Sequence, residues 1–289
     1  MRQIEISDHD LTRAQADDLL VKAGEATSAL RDYVSLTDAQ LRAQRGLGAG
    51  RYIAESLKVL EVALSLGHRP CSILTSSKWL PALAGLEERF PAQLNECLTL
   101  VATGQQLRTL TGYHVHRGTL ASLTRPQEQT LSQLTQTGRP LVVLEDIVDH
   151  SNLGAICRAV VGLGAGGLIL SPRCADPLYR RSIRVSMGAS LRMAWARAQS
   201  WEGLVEALRV ADYTLIALSV SEQSRSLRAL ASEAPSQVAI LLGSEGPGLS
   251  RQALLSADQQ VYIPMSSGVE SLNIASAAAV AMWALAPQG

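Results

Sequence analysis

Apolar and polar positions alternate along this chain in a way that predicts strands and helices in regular succession. Short unbroken apolar runs predict buried strands, and apolar residues spaced three or four positions apart predict helices. In the second half, strands are predicted at Leu141–Leu144, Leu168–Leu170, Tyr213–Leu218, Val238–Leu242 and Gln260–Ile263. Helices are predicted between or after them at Asn152–Val161, Trp201–Val210, Leu249–Leu255 and Ser271–Leu285. This succession predicts an α/β domain over residues 141–289.

The first half carries a shorter version of the same pattern. Strands are predicted at Tyr52–Ala54, Cys71–Leu74 and Cys97–Ala102, and helices at Glu55–Leu66, Lys78–Phe90 and Gln105–Leu110. We therefore expect a smaller α/β domain over residues 46–121. Residues 1–45 show only helical patterns and predict a helical extension. Residues 122–140, rich in Gln, Thr and Ser with prolines at both ends, predict a linker with a helical turn around Leu131 and Leu134.

Charge and aromatic content limit the classes of protein. The chain has 26 basic and 26 acidic residues, so its formal net charge is zero and any attraction to nucleic acid must be local. Its single Phe argues against RNA-binding modules that stack bases on aromatic side chains. Arginines do cluster, in one group of Arg173, Arg180, Arg181 and Arg184 and another of Arg108, Arg117 and Arg125. Such clusters are either solvated or ion-paired side chains, or a local RNA contact.

The cysteines and the apolar runs predict a location in the cell and exclude some chemistry. Cys71, Cys97, Cys157 and Cys174 have no CxxC spacing, and no histidine cluster has metal-ligand spacing, so we expect no metal site. Scattered cysteines without a signal peptide indicate a reducing compartment, and we expect a cytoplasmic protein. No apolar run reaches about 18 residues, so we expect no membrane span.

One glycine-rich loop follows the apolar run Val238–Leu242. Its sequence is Gly-Ser-Glu-Gly-Pro-Gly over residues 243–248, and Glu245 is its only charge. The loop can be a simple turn between a strand and a helix, or a ligand loop. Open α/β sheets bind ligands at the carboxyl ends of their strands, which favours the ligand loop.

A second polar loop follows the strand predicted at Leu141–Leu144. Asn152 is predicted to cap the next helix, and Gly154 permits a close backbone approach. Arg158 lies in an otherwise apolar part of that helix, where a cation needs a partner. Arg158 is either a surface arginine or part of a structural ion pair, or it contacts an anion or a phosphate.

A third polar loop follows Gln260–Ile263 and leads into the last helix. Ser271 and Asn273 stand where that helix begins, so either can cap it or hold a polar ligand. The three loops are predicted to line one cleft at the carboxyl edge of a sheet.

The segment Gly162–Gly167 matches the dinucleotide fingerprint G-x-G-x-x-G. That fingerprint binds pyrophosphate only where it follows a strand and opens a helix. Here the glycines follow a predicted helix and precede a predicted strand, which disfavours a nicotinamide-dependent oxidoreductase.

Three motifs occur in order: Asn-x-Gly-x-x-x-Arg at 152–158, Gly-Ser-Glu-Gly-x-Gly at 243–248, and Ile-Pro-Met-x-x-x-x-x-Ser-Leu-Asn at 263–273. Together they resemble the motifs of the SpoU/TrmH branch of the SPOUT RNA methyltransferases, over about Leu141–Leu285. The segments 174–181 and 186–189 are similar to this family as well.

Residues 40–120 are similar, more loosely, to the L30e-like RNA-binding domain that often precedes the methyltransferase domain. In that domain a glycine usually follows the residue at Glu55, whereas this chain has Ser56.

The resemblance implies an α/β fold with a carboxyl-terminal trefoil knot, S-adenosylmethionine as methyl donor, and a homodimer whose site lies across the interface. It implies catalytic roles for Arg158, Asn152, Glu245, Ser271 and Asn273. It implies cofactor contacts by Leu242, Gly243, Glu245, Gly248, Ile263, Met265, Ser271 and Leu272. For RNA contacts we expect Arg51, Arg117, Arg180, Arg181 and Arg184.

The expected function is methylation of a ribose 2′-hydroxyl in structured RNA, with ribosomal RNA preferred. Transfer RNA as substrate, and a non-catalytic RNA-binding protein that keeps the knotted fold, are the alternatives.

Overall fold

The computed structural model describes residues 1–15, 24–34, 50–111, 118–231, 233, 235, 237–266 and 271–285. The chain forms two compact units. The first comprises Met1–Gln127 with Leu178–Arg184, and the second comprises Glu128–Pro177 with Val185–Gly289. Each unit contains its own sheet with helices, which confirms the predicted α/β class.

The first unit has a five-stranded mixed sheet in the order β1-β4-β3-β5-β2. Its strands are β1 Arg2–Glu5, β2 Arg51–Glu55, β3 Pro70–Thr75, β4 Leu98–Val101 and β5 Thr119–Thr124. Strands β1, β4 and β3 are parallel, whereas β5 is antiparallel to both β3 and β2. Its helices are α1 Asp8–Gln15, α2 Glu25–Val34, α3 Leu57–Ser65, α4 Leu80–Arg89, α5 Pro91–Leu94 and α6 Gly104–Thr111, with a 3₁₀ turn at Ser77–Trp79.

The amino-terminal segment is part of this unit rather than a helical extension. Strand β1 pairs with β4, and Leu30 and Tyr33 of α2 share one core with Ile53 and Leu74. An edge strand has one paired neighbour, and the side chains of β1 are mostly exposed, so no apolar run marks it in the sequence. Strand β5 likewise extends into the predicted linker, while the helical turn predicted around Leu131 is confirmed.

The second unit has a seven-stranded sheet in the order β10-β12-β9-β11-β6-β7-β8, and every pairing in it is parallel. Its strands are β6 Leu141–Leu144, β7 Gly167–Leu170, β8 Trp195–Arg197, β9 Thr214–Leu218, β10 Arg225–Ser226, β11 Val238–Leu242 and β12 Gln259–Tyr262. From residue 128 onward the helices are α7 Leu131–Thr135, α8 His150–Gly162, α9 Arg180–Val185, α10 Ala189–Arg192, α11 Trp201–Val210, α12 Leu227–Ala231, α13 Arg251–Ser256 and α14 Ile274–Leu285.

The burial of the central strands of this sheet explains why they could be predicted from unbroken apolar runs in the sequence. Every residue of β6 and β11 is buried, as expected of parallel strands covered on both faces. After β6 the chain adds β7 and β8 on one side, whereas β11, β9 and β12 lie on the other. The strand order therefore changes direction between β6 and β11, and open α/β sheets bind ligands near such a position.

Two predictions about α8 have different outcomes. Its amino terminus is capped by Asp149, whose side chain accepts a 2.8 Å hydrogen bond from the amide N of Asn152. Asn152 is therefore not the cap, as was predicted, but lies inside the first turn. At the other end, α8 stops at Gly162, Gly164 has a φ of +74°, and β7 begins at Gly167, which confirms a helix-to-strand turn.

Among the described residues, no helix combines the length and the apolar character that a membrane crossing requires.

Candidate active site

A cleft of about 600 Å³ opens at the carboxyl ends of β9, β11 and β12 in the second unit. The loops after these strands and the first turns of α14 form its walls. The lining residues are Leu218, Ser219, Val220, Gly243, Ser244, Glu245, Gly246, Gly248, Tyr262, Ile263, Met265, Ser271, Leu272, Asn273, Ile274 and Ala277. Two of the three predicted polar loops thus meet here, with the loop after β9 as a further wall.

The segment Gly243–Leu249, called the glycine loop below, folds back on itself. The amide N of Gly248 donates a 3.0 Å hydrogen bond to the carbonyl of Ser244. A Cβ at Gly243 would come within 2.2 Å of backbone atoms of Gly248 and Leu249, so only glycine fits there. Gly246 and Gly248 have φ of +91° and +71°, and a Cβ on either would meet nothing within 4 Å. The loop therefore presents backbone rather than side chains at these two positions.

Three motif residues from three loops form one hydrogen-bonded network. The Nδ2 of Asn273 donates to Glu245 Oε1 at 2.8 Å and to Asn152 Oδ1 at 3.0 Å. The Oδ1 of Asn273 accepts a 3.0 Å hydrogen bond from the amide N of Ala275, so Asn273 caps α14 as predicted. The network connects the glycine loop, the start of α8 and the start of α14.

This network leaves polar atoms at its two ends. Within the described residues, neither Glu245 Oε2 nor Asn152 Nδ2 has a hydrogen-bond partner. The first is an acceptor and the second is a donor, so the assembled network can bind a ligand through both kinds of hydrogen bond.

Most of the predicted cofactor residues lie together in the cleft. Its lining includes Gly243, Glu245, Gly248, Ile263, Met265, Ser271 and Leu272. Leu242 does not line it, because this last residue of β11 is only 1% exposed and its side chain belongs to the core. Ser271 lines the cleft, while the cap of α14 is provided by Asn273.

Some residues of the cleft were not predicted from the sequence. Ser219 and Val220 follow β9, and Tyr262 ends β12. The available signal was their position directly after or at the end of an apolar strand run. Glu145, which lies outside the cleft lining, was also missed, although it directly follows β6. Its carboxylate accepts hydrogen bonds of 2.7 Å from both the amide N and the Oγ of Ser250.

Arg158 lies apart from the cleft lining of its own chain. Its side chain is exposed, and its Nη1 is 3.5 Å from the Sδ of Met187. Met187 and Gly188 both have positive φ, of +54° and +82°, so the chain turns sharply beside this arginine. The network of Asn152, Glu245 and Asn273 therefore forms without Arg158.

The predicted RNA-binding arginines are placed differently from one another. The Arg51 guanidinium forms an ion pair with Asp32, which is 2% exposed and also accepts a 2.6 Å hydrogen bond from Ser122 Oγ. Arg51 therefore neutralises a buried carboxylate, a structural role that its position in the sequence did not reveal.

The other arginines of that set lie farther along the chain. Arg181 and Arg184 are exposed, Arg180 is partly exposed, and Arg184 Nη1 is 3.6 Å from Glu55 Oε2. Arg117 lies outside the described residues.

The cysteines beside the first motif are not candidate nucleophiles. Cys157 and Cys174 are both buried, and burial raises the pKa of each thiol. A thiol with a raised pKa stays protonated near neutral pH and is unreactive. In the described part of the chain, no group of three or more His, Cys, Asp or Glu side chains is placed to hold a metal ion.

Comparison with known proteins agrees with this geometry. Residues 139–283 match the family described as the SpoU rRNA Methylase family. An uncharacterized tRNA/rRNA methyltransferase of Mycobacterium bovis is 35% identical over 261 residues, which cover 88% of this chain and 87% of the relative. The structure resembles an AdoMet-bound rRNA methyltransferase from Sinorhizobium meliloti, with a TM-score of 0.79, 22% identity, and coverage of 98% and 97% of the two chains. It also resembles an RNA 2′-O ribose methyltransferase, with a TM-score of 0.68, 21% identity and 98% coverage of both chains. The arrangement of the three loops and the sequence match lead to one conclusion: this chain belongs to the SpoU rRNA Methylase family.

Proposed function

We propose that this protein transfers a methyl group from S-adenosylmethionine to a ribose 2′-hydroxyl of structured RNA, with ribosomal RNA as the preferred substrate. The observation that carries the proposal is the hydrogen-bonded network that joins Asn152 to the cleft residues Glu245 and Asn273 in a chain of this family. The curated relative named above is a tRNA/rRNA methyltransferase, and one structure with the same fold is an RNA 2′-O ribose methyltransferase.

The cleft fits S-adenosylmethionine. Its volume of about 600 Å³ is within the usual range for small-molecule sites. Leu218, Ile263, Leu272 and Ala277 provide apolar surface for an adenine ring. The glycine loop provides backbone groups that no side chain covers, and these suit the polar parts of a nucleoside. When bound, S-adenosylmethionine supplies an electrophilic methyl group on a sulfonium.

The chain's own residues then have to orient the ribose hydroxyl. Its oxygen takes the methyl group as its proton leaves, and holding both reactants in place can supply effective molarities of about 10⁵–10⁸ M. The Arg158 guanidinium has only N–H donors and no acceptor, so its role is to bind the hydroxyl oxygen and an adjacent phosphate. The proton passes to water or to the RNA phosphate.

The position of Arg158 supports a homodimer with a shared site. Because Arg158 lies outside the cleft lining of its own chain, Arg158 of one subunit is proposed to serve the cleft of the other. Two exposed apolar side chains of α14 are available for the interface. Val280 and Trp283 are 40% and 65% exposed and lie on the same helix face as Ser276.

The remaining expectations from the family resemblance belong to the same proposal. They are a trefoil knot in the second unit and an L30e-like domain within residues 46–121 that binds RNA. The positive φ of +101° at Ser56 supports the second, since it is a backbone conformation suited to the glycine usual at that position. The exposed side chains of Arg181 and Arg184 suit phosphate contacts.

The deciding experiment maps ribose methylation by mass spectrometry in ribosomal and transfer RNA from cells with and without the gene. The proposal expects one ribose methyl to be lost from ribosomal RNA when the gene is absent. Loss from transfer RNA instead would move the substrate to that pool. Unchanged methylation in both pools, together with no binding of S-adenosylmethionine by the purified protein, would contradict the enzymatic function.

A further inference from the structure

Two adjacent acidic residues after β6 contact the loops on opposite sides of that strand. Glu145 accepts two hydrogen bonds from Ser250, which directly follows the glycine loop. Asp146 contacts the loop after β7, where it exchanges two hydrogen bonds of 3.0 Å with Ser171 and forms an ion pair with Arg173. The loop after β6 is thus bonded to both of its neighbours through consecutive side chains.

The contact between Glu145 and Ser250 has the features of a strong anchor. Each carboxylate oxygen accepts one hydrogen bond of 2.7 Å, one from the amide N and one from the Oγ of the same serine. Hydrogen bonds to an ionised acceptor are stronger than neutral ones. The Oγ of Ser250 also accepts a 3.1 Å hydrogen bond from Ala253 N, so Ser250 is the N-cap of α13 as well.

The glycine loop is held at its downstream end by this contact together with the buried side chain of Leu249. Its upstream end is fixed, because Leu242 is part of the fully buried strand β11. Between these ends the residues Glu245–Gly248 are exposed, and two of the three glycines have positive φ. Glycine loses more conformational freedom on ordering than any other residue, so this loop is costly to hold in one conformation.

We propose that Glu145 is a positioning residue for the cofactor cleft. By holding Ser250 it orders the glycine loop before a ligand arrives, and so keeps the Glu245 carboxylate in reach of Asn273. A loop that is already ordered loses less conformational entropy when it binds a ligand. The contact between Glu145 and Ser250, called the clamp below, therefore raises cofactor affinity without touching the cofactor. This inference rests on the proposed function, because the cleft must bind S-adenosylmethionine for the effect to be measured.

The test is Glu145→Gln in the full-length protein. A glutamine oxygen can still accept from the amide N of Ser250, and its NH₂ can donate to Oγ if that hydroxyl turns, so the substitution replaces two hydrogen bonds to a charged acceptor with neutral ones. Calorimetry is expected to show S-adenosylmethionine bound about tenfold more weakly, since neutral hydrogen bonds are weaker than those to a charged group. In RNA methylation assays the KM for the cofactor rises while kcat at saturating cofactor stays near the wild-type value.

A second measurement needs neither cofactor nor turnover. Hydrogen exchange of the cofactor-free protein is expected to show faster exchange at the amide of Ser250 and across the glycine loop in Glu145→Gln. Exchange in β6 and β11 is expected to stay slow. An unfolded or broadly destabilised variant would instead exchange faster in those strands too.

Matched controls are present in the same unit. Ser200 caps α11 with a 3.1 Å hydrogen bond from Gly203 N, as Ser250 caps α13, but Ser200 lies outside the cleft. Ser250→Ala is expected to weaken cofactor binding like Glu145→Gln, whereas Ser200→Ala loses only a cap and leaves binding unchanged. Asp146→Asn disturbs the contact with Ser171 and Arg173 on the other side of β6, and it is also expected to leave cofactor affinity unchanged. Ser250→Thr keeps a hydroxyl and is expected to retain most of the affinity.

The outcomes separate this inference from the proposed function. If the wild-type protein does not bind S-adenosylmethionine, the proposed function fails and this inference fails with it. If the wild-type protein binds and Glu145→Gln and Ser250→Ala bind equally well, with unchanged exchange of the loop, only the positioning role is overturned. Equal losses in Asp146→Asn and Glu145→Gln would also overturn it, because the effect would not be specific to the clamp.

Discussion

Asn273 Nδ2 and Glu245 Oε1 are joined by a hydrogen bond of 2.8 Å that connects the last helix to the glycine loop. The same amide donates to Asn152, while the oxygen of the Asn273 side chain caps α14. The Asn273 side chain thus caps the helix with its oxygen and binds the two other site residues with its nitrogen. The two roles can therefore be separated by a single substitution.

Asn273→Asp is expected to keep the N-cap of α14 and to lose the hydrogen bonds to Glu245 and Asn152. Aspartate is as good an N-cap as asparagine, so thermal stability should change little. It has no donor for Glu245 or Asn152, and it brings a second carboxylate beside Glu245, so affinity for S-adenosylmethionine should fall about tenfold or more. The added change Glu245→Gln restores a donor and an acceptor between the two positions. Partial recovery in the double variant is expected, and full affinity in Asn273→Asp alone would contradict the role of the network.

Arg158→Ala is expected to abolish RNA methylation while cofactor affinity stays at the wild-type value. The physical reason is that Arg158 lies outside the cleft lining and is proposed to act on the RNA. Mixing this variant with Glu245→Gln subunits tests whether the site is shared. In a mixed dimer, a shared arrangement leaves one site with an intact Arg158 and an intact cleft, so activity returns. If each site used residues of one chain only, the mixture would stay inactive.

Ser56→Gly is expected to stabilise the protein by about 1 kcal/mol. Ser56 has a φ of +101° and a ψ of 151°, a region that costs non-glycine residues on the order of 1–3 kcal/mol. Ser56 is also the N-cap of α3, with a 3.3 Å hydrogen bond from Val59 N, but glycine is nearly as good a cap. Ser56→Ala keeps the strain and loses the cap, so it should destabilise by about 1 kcal/mol. Urea unfolding measures the change in the free energy of unfolding for each variant, which should rise in Ser56→Gly and fall in Ser56→Ala. A destabilised Ser56→Gly would show that the backbone at Ser56 is unstrained.

His68 is expected to make stability fall in mild acid. Burial lowers its pKa below the ordinary value, and its Nδ1 is 2.6 Å from the hydroxyl of Tyr52. The unfolded chain therefore binds a proton more readily than the folded one, and stability is lost as the pH falls from about 6.5 to the folded pKa. His68→Gln removes this titration. The urea concentration at the midpoint of unfolding should fall less in His68→Gln than in the wild type when the pH is lowered from about 7.5 to about 5.5. An equal fall of the midpoint in both proteins would show that other groups cause the pH dependence.

The sequence predicted the parts of the fold in which burial is complete. Strands such as β6 and β11 are covered on both faces, so their residues are uniformly apolar and their positions were read within a residue or two. The motif residues were also found, because they match the three motifs of the family that the sequence resembles. Asn152, Glu245 and Asn273 were expected to meet, and they do.

The parts that were missed depend on partners distant in the chain. β1 has no apolar run because it is an exposed edge strand, and only its pairing with β4 identifies it. Arg51 could not be recognised as structural, since its partner Asp32 lies 19 positions away and is buried by the fold. The clamp of Glu145 on Ser250 joins residues 105 positions apart. Local spacing contains no information on such contacts.

The closed geometry at Gly243 has a practical consequence for genetics. Adding one methyl group there would place it 2.2 Å from backbone atoms that cannot move independently of the loop. Gly243→Ala therefore changes no charge, no hydrogen-bonding group and no surface arginine, yet it forces the two ends of the glycine loop apart. An allele with this change is expected to let a cell produce the protein with its exposed arginines unaltered, while the cleft no longer accommodates the proposed methyl donor. It would separate what the protein does by its presence on RNA from what it does by modifying that RNA.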